Sequence, residues 1–201
     1  MGRQATSLIL VRHAESAPSA DIADQDWPLS EAGQIQAQRL VDVLRWRQIN
    51  AIAASPYLRA VETIRPFAEA SSLPVVIEPD IRERRLSDSW IEDFEAVLHL
   101  IHGDPHGCLP GGESAFEARL RFERGLDAIA RRFPGCRVAV ATHGSVIAHL
   151  LRHHHPHLPD DYHRRIRNPH IFELAWGEPP LWLSETTLDG SAGVGWANGS
   201  C

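Results

Sequence analysis

A short apolar run near the start of the chain, Leu8-Ile9-Leu10-Val11, is cut off by Arg12-His13. Its branched residues are hydrophobic on both faces, the pattern of a strand buried in a parallel sheet. The carboxyl end of such a central strand is where open α/β sheets bind ligands. A cation and an imidazole at that point predict that His13 is a nucleophile for phosphoryl groups and that Arg12 holds the phosphate.

The rest of the chain alternates strand and helix patterns. After a loop over Ala17 to Pro28, Ser30 reads as the N-cap of a helix with Gly33 at N3. Ile35, Leu40, Val43 and Leu44 form its apolar stripe, and it ends near Arg47 or Gln48. Ala51 to Ala54 is a second strand. Ser55-Pro56 reads as N-cap and first residue of a helix carrying Arg59 and running to about Ala70. Leu73 to Ile77 is a third strand, followed by the charged stretch Asp80 to Arg85. Helical spacing recurs over Trp90 to His102 and from Glu113 or Ser114 through Phe133. Val138 to Thr142 is the next buried strand and ends in His143-Gly144; Ser145 to Arg152 is helical. Ile171 to Ala175 and Leu181 to Ser184 read as a hairpin-like pair near the sheet edge. These patterns predict an α/β fold, a three-layer α/β/α sandwich with a mostly parallel central sheet. One domain spans 1–188, and the Gly- and Ser-rich residues 189–201 are a loose tail.

Composition limits the chemistry. The net charge of −6 argues against nucleic acid as a partner. No apolar run approaches the roughly 18 residues of a membrane span. Met1-Gly2-Arg3-Gln4 leads straight into the first strand, which predicts no signal peptide. Cys108, Cys136 and Cys201 are widely spaced and suggest neither a disulfide framework nor a metal knuckle, so a cytoplasmic location is expected. The chain has no lysine, so all 20 basic residues are arginines. Schiff-base chemistry and the P-loop lysine are thereby excluded. Any phosphate is left to arginine forks, histidines or backbone N–H groups.

Two buried strands end in histidine, at His13 and His143, and adjacent parallel strands bring such ends together. Arg59 opens a helix just after a strand and so belongs to the same edge, where helix N-termini favour anions. Neighbouring arginines disfavour the imidazolium and keep a histidine nucleophilic. They also offset charge on the phosphoryl oxygens. An acid is required for the leaving alcohol, and Glu83, after the third strand, is the candidate.

Arg12-His13-Ala14-Glu15-Ser16 resembles the Arg-His-Gly-Glu signature of the histidine phosphatase superfamily, also called phosphoglycerate mutase-like. Leu29 to Gly33, Ser55 to Thr63, Ile81-Arg82-Glu83, Gly112-Glu113-Ser114 and Thr142-His143-Gly144 resemble its later blocks, in order, across roughly residues 7–150. The resemblance implies catalysis by His13, Glu83 and His143. It implies phosphate or substrate binding by Arg12, Arg59, Ser16 and Gly144, with no metal and no cofactor. The expected activity is hydrolysis of a phosphomonoester through a phosphohistidine on His13, with a small phosphorylated molecule as substrate. A homodimer is left open.

Three departures shape that expectation. Ala14 replaces glycine, Pro18-Ser19 stand where mutases carry an asparagine, and Leu86 to Trp90 departs from the Gly-x-Trp-Glu-Gly block. Glu83 and His143 are only 60 positions apart, too close for the basic insertion of the glycolytic mutases. A phosphatase is therefore favoured over mutase-type phosphoryl transfer or a silent phospho-ligand-binding module. The run His153-His154-His155-Pro156-His157, with His163, lacks the His-Glu-x-x-His arrangement of a zinc site. Trp27 and Trp90 line either a cleft or the core, and Arg84 and Arg85 either reach a second anionic group or lie on the surface.

Overall fold

The computed structural model describes residues 5–89, 91–93, 96–97, 104–190 and 192–194. Its centre is a seven-stranded sheet of order β3-β2-β4-β1-β5-β6-β7. The strands are β1 (Thr6–Arg12), β2 (Ala51–Ala54), β3 (Val75–Ile77), β4 (Arg137–Thr142), β5 (His170–Trp176), β6 (Leu181–Thr187) and β7 (Ala192–Val194). From β3 to β1 the neighbours pair in parallel; β5, β6 and β7 then continue as an antiparallel meander. The helices are α1 (Glu31–Arg45), α2 (Leu58–Ser71), α3 (Ala115–Arg132) and α4 (Gly144–His154).

Strand periodicity sorts the core onto two faces. Leu8, Leu10, Ala51, Ala53, Val138 and Val140 meet Phe122 and Leu126 of α3 and Ile147 and Leu151 of α4. Ile9, Val11, Ile52, Ala54, Ala139 and Ala141 meet Leu40 and Leu44 of α1 and Ile64 and Phe67 of α2. The result is the expected α/β/α layering. Leu8, Ile9, Leu10 and Val11 are fully buried. At about 1.5–3 kcal/mol for each such side chain, they hold β1 in register against the cost of placing Arg12 and His13 beside it.

Several expectations are corrected. The hairpin-like pair β5–β6 does lie near the sheet edge, but it is not outermost: β7 continues the meander beyond β6, and β5 sits inside the sheet against β1. Ala192–Val194, within the stretch expected to be loose, forms that edge strand. Ile35 is not part of the buried stripe of α1; it is 63% exposed, and Gly33, Ala37, Leu40 and Leu44 form the stripe instead. A Cβ at Gly33 would lie 1.9 Å from the Glu15 carbonyl oxygen, so this position lets α1 rest directly on the loop after His13. Ser55 does not cap α2, which begins at Leu58 after Tyr57. Ser30 does cap α1, and Ser114 forms a full capping box with Glu117 on α3. The helix expected over Trp90 to His102 lies largely outside the described residues. Among the described residues no helix is long and apolar enough to cross a membrane.

Candidate active site

The register Arg12↔Thr142 brings the ends of β1 and β4 side by side, so His13 and His143 follow at the same edge. Their ring centroids are 5.3 Å apart. His13 is 7% exposed and its Nδ1 lies 2.7 Å from the Ala14 carbonyl. A carbonyl only accepts, so Nδ1 donates and the lone pair is left on Nε2. Burial lowers the His13 pKa to about 3, followed by the charge of Arg59, against the Ala14 hydrogen bond, and then by that of Arg12. The imidazole is therefore neutral at ordinary pH. The surrounding backbone is tied down from two sides. Asn168 Nδ2 donates to the His13 carbonyl at 2.8 Å, and the Ala14 N–H donates to Thr63 Oγ1 at 2.8 Å.

His143 is fully buried, and its pKa falls well below the usual value through burial and then Arg59, His13 and Arg12. Its Nε2 lies 2.7 Å from Ser55 Oγ, which accepts from the Tyr57 N–H at 3.3 Å. Among the described residues its Nδ1 is buried without a hydrogen-bond partner, as is Arg12 Nε. The Arg12 guanidinium bonds the Ile166 carbonyl and packs on Gly144, where a Cβ would meet Nε at 2.9 Å and Cζ at 3.1 Å. That close approach requires glycine.

Arg59, in the first turn of α2, is 3% exposed. It lies between the faces of Tyr57 and Trp27, its Cζ 4.8 and 5.5 Å from their ring centroids. It pairs with the Asp24 carboxylate at 3.0 Å and donates to the Asp24 carbonyl at 2.6 Å. Ser16 forms an isolated backbone bridge with Leu29 where the chain leaves this edge.

Glu83 joins the group from a loop. Its oxygens accept from the Arg84 N–H at 2.8 Å and the Ser145 N–H at 3.3 Å. Burial raises its pKa, against those bonds and the charges of Arg59 and Arg12. The loop is secured by Arg121 of α3, 4% exposed. Arg121 grips Glu113 with two bonds of 2.8 Å and donates to the carbonyls of Asp80, Arg82 and Glu83. Thr142 Oγ1 donates to the Ile81 carbonyl at 2.7 Å and ties the same loop to β4.

His13, His143, Arg12, Arg59, Glu83 and Gly144 thus converge. Ser55, Tyr57 and Thr63, which the Ser55 to Thr63 block contains without a role assigned to them, and Arg121 and Asn168, outside every block, tie this group in place. Their signal was weak: Ser55 resembled a helix cap, and Arg121 was one arginine among many on an amphipathic helix. Arg85 is exposed and pairs with Asp88, whereas Arg84 is buried. Away from this group, α3 brings Glu123 to His153 and His154, with ligand atoms within 4.8 Å of one another. No reading of the histidine run alone could supply that carboxylate, which also pairs with Arg119 at 2.6 Å.

Comparison with known proteins agrees with this geometry. The family model for the histidine phosphatase superfamily (branch 1) matches residues 8–181. The chain is 30% identical over 197 residues to the probable phosphoglycerate mutase GpmB of Cronobacter sakazakii, covering 90% of this chain and 91% of that one. It is 28% identical over 198 residues to GpmB of Yersinia enterocolitica, covering 92% of each. Among solved structures, it resembles a mycobacterial glucosyl-3-phosphoglycerate phosphatase bound to VO3, with a TM-score of 0.72, 23% identity and coverage of 96% and 98%. It also resembles a phosphoserine phosphatase mutant of Entamoeba histolytica bound to phosphoserine, with a TM-score of 0.73, 17% identity and coverage of 91% and 98%. At such identities these two structures establish the fold alone. With the match covering most of its length and the motif residues gathered at one sheet edge, this chain belongs to the histidine phosphatase superfamily.

Proposed function

We propose that this protein hydrolyses a small phosphomonoester through a phosphohistidine on His13, using arginines rather than a metal to hold the phosphate. The observation that carries this reading is the neutral, buried His13 with its proton held on Nδ1 by Ala14 and Nε2 left available beside Arg12, Arg59 and His143. Nε2 attacks phosphorus as the bond to the leaving oxygen breaks, and Glu83 gives that oxygen its proton. Water then attacks the phosphorus of the phosphohistidine, Glu83 takes the water's proton, and the P–N bond breaks to release phosphate and neutral His13. Arg12 Nε and His143 Nδ1, both buried without a partner among the described residues, are suited to donate to the phosphoryl oxygens. The raised pKa of Glu83 fits the acid role, since a proton retained to higher pH is available to a leaving alkoxide.

His13→Ala should lower the hydrolysis of p-nitrophenyl phosphate by at least about 10³-fold while the far-UV circular dichroism is kept. Acid-labile, base-stable phosphate should be trapped on the wild-type chain and not on the variant. Activity near wild type in that variant would remove the nucleophile assignment.

The names of the curated relatives favour a second reading, transfer between positions of phosphoglycerate. Incubation with 3-phosphoglycerate, with and without 2,3-bisphosphoglycerate, separates the two. Release of inorganic phosphate supports the hydrolase, and isomerisation without release supports the mutase.

A further inference from the structure

The histidine run at the end of α4 takes no part in the phosphate group, yet the fold gives it a partner. His153 and His154 are the last two residues of α4, and Glu123 stands on α3 where the two helices pack. His154 Nε2 lies 3.4 Å from Glu123 Oε1, and the His153 and His154 rings are 4.9 Å apart at 76°. One ligand atom from each of the three residues lies within 4.8 Å of the other two.

That spacing has a chemical meaning. Two ligands on a tetrahedral ion with bonds of about 2.1 Å are about 3.4 Å apart. His154 and Glu123 already stand at that separation, which is long for a direct hydrogen bond between them. Both are half-buried, whereas His153 is exposed and has room to turn its ring inward. Glu123 is also held in orientation. Arg119 donates to its Oε2 at 2.6 Å and leaves Oε1 toward His154. A carboxylate ligand anchored through its second oxygen is the usual support of a metal site. The positive charge of Arg119 works against a cation here. The Glu123 carboxylate works for it, and so do the carbonyl dipoles at the C-terminal end of α4.

We propose that Glu123, His153 and His154 form a zinc site, with water as the fourth ligand. Two imidazoles and one carboxylate suit zinc, whereas magnesium and calcium prefer oxygen ligands. The site is separate from the phosphate group: Arg12, His13, Arg59 and His143 do not belong to it, and the hydrolysis proposed above does not pass through it. The ion joins the end of α4 to α3, the helix whose Arg121 secures the Glu83 loop. Its effect is on stability, because metal bound to the folded chain alone favours that state.

Calorimetric titration of the chain, carrying no affinity tag, with zinc chloride tests the site without reference to turnover. One equivalent should bind, and the thermal midpoint should rise with zinc and return with EDTA. Glu123→Gln and His154→Ala, each confirmed as folded by circular dichroism, should weaken binding at least about 10-fold and remove the rise. His157→Ala, elsewhere in the run, should change neither. Cobalt(II) in place of zinc should give the strong visible bands of a tetrahedral site, diminished in His153→Ala. No binding, equal affinity in wild type and Glu123→Gln, the weak spectrum of octahedral cobalt, or bands unchanged in His153→Ala would each overturn the proposal.

Discussion

His13 and His143 stand at the ends of neighbouring strands, whereas Glu83 stands on a loop held by side chains. The difference lies in what fixes each group. The histidines inherit their positions from the parallel register of β1 and β4 and from a core packed on both faces of the sheet. Glu83 depends mainly on side chains: Arg121 and Arg82 paired with Glu113, the carbonyls that Arg121 collects, and Thr142 bonded to the Ile81 carbonyl. One half of the site is built by backbone pairing and apolar burial. The other is built by charge, with Glu113 shared between Arg121 and Arg82.

The sharpest way to break this comparison is Arg121→Leu. Arg82 keeps its 2.8 Å pair with Glu113, but the Arg121 bonds to Glu113 and to three loop carbonyls are lost, and the expected loss is about 1–3 kcal/mol in urea denaturation. In folded Arg121→Lys protein, inhibition by inorganic phosphate should change little while turnover of alkyl phosphates falls. An Arg121→Leu chain as stable as the wild type would show that the loop is held by something else.

Glu83→Gln comes next. Hydrolysis of alkyl phosphates should drop about 10²-fold or more, and p-nitrophenyl phosphate much less, because a good leaving group needs little protonation. The wild-type rate on alkyl esters should decline as pH rises through the raised pKa of Glu83, and that limb should be missing in the variant. Equal losses on both substrates would end the acid assignment.

Gly144→Ala probes the strand-end half. The new Cβ pushes on the Arg12 guanidinium, and kcat/KM should fall between about 10- and 100-fold with little change in the ratio of alkyl to nitrophenyl esters. A change in that ratio would mean that the two halves are not separable.

The smallest effect is on stability against pH, read at two buried histidines, His13 at the strand ends and His149 on α4. Folded His13 and His149 have pKa values lowered to about 3, whereas unfolded histidine titrates near 6.5. Below that pH the unfolded chain binds protons that the folded chain refuses. Stability is therefore complete above about 6.5 and declines as pH falls toward 3, by at most about 1.4 kcal/mol per pH unit for each group. His149→Leu should flatten that slope by about one histidine's share between pH 6 and 5. An unchanged slope would mean that His149 is protonated in the folded protein.

The two halves also differ in how far they could be read from residues in order. Leu8 to His13 and Val138 to His143 announce themselves by local pattern, and so do the caps at Ser30 and Ser114. Glu83 was legible only as part of a motif series. The residues that support it were not, because Arg121 meets Glu113 and the Asp80–Glu83 carbonyls through tertiary packing of α3 rather than through any spacing. Asn168 reaches the His13 carbonyl across 155 positions. Ser55-Pro56 satisfied the rule for a helix start, yet its hydroxyl is directed at His143 instead. Ile35 fitted helical spacing, but helical spacing alone does not say where the buried arc ends.

The position of β1 has a consequence for how the protein is made. Its two neighbours are β4 and β5, with Ser7 opposite Arg137 on one edge and opposite Ala175 on the other. The strand that leads to His13 is synthesised well before either of its partners. A chain ended before Arg137 has neither neighbour for β1, and one ended before His170 leaves an edge of it open. Pairings this distant in sequence are slow to close. His13 therefore takes its place only after β5 has been synthesised.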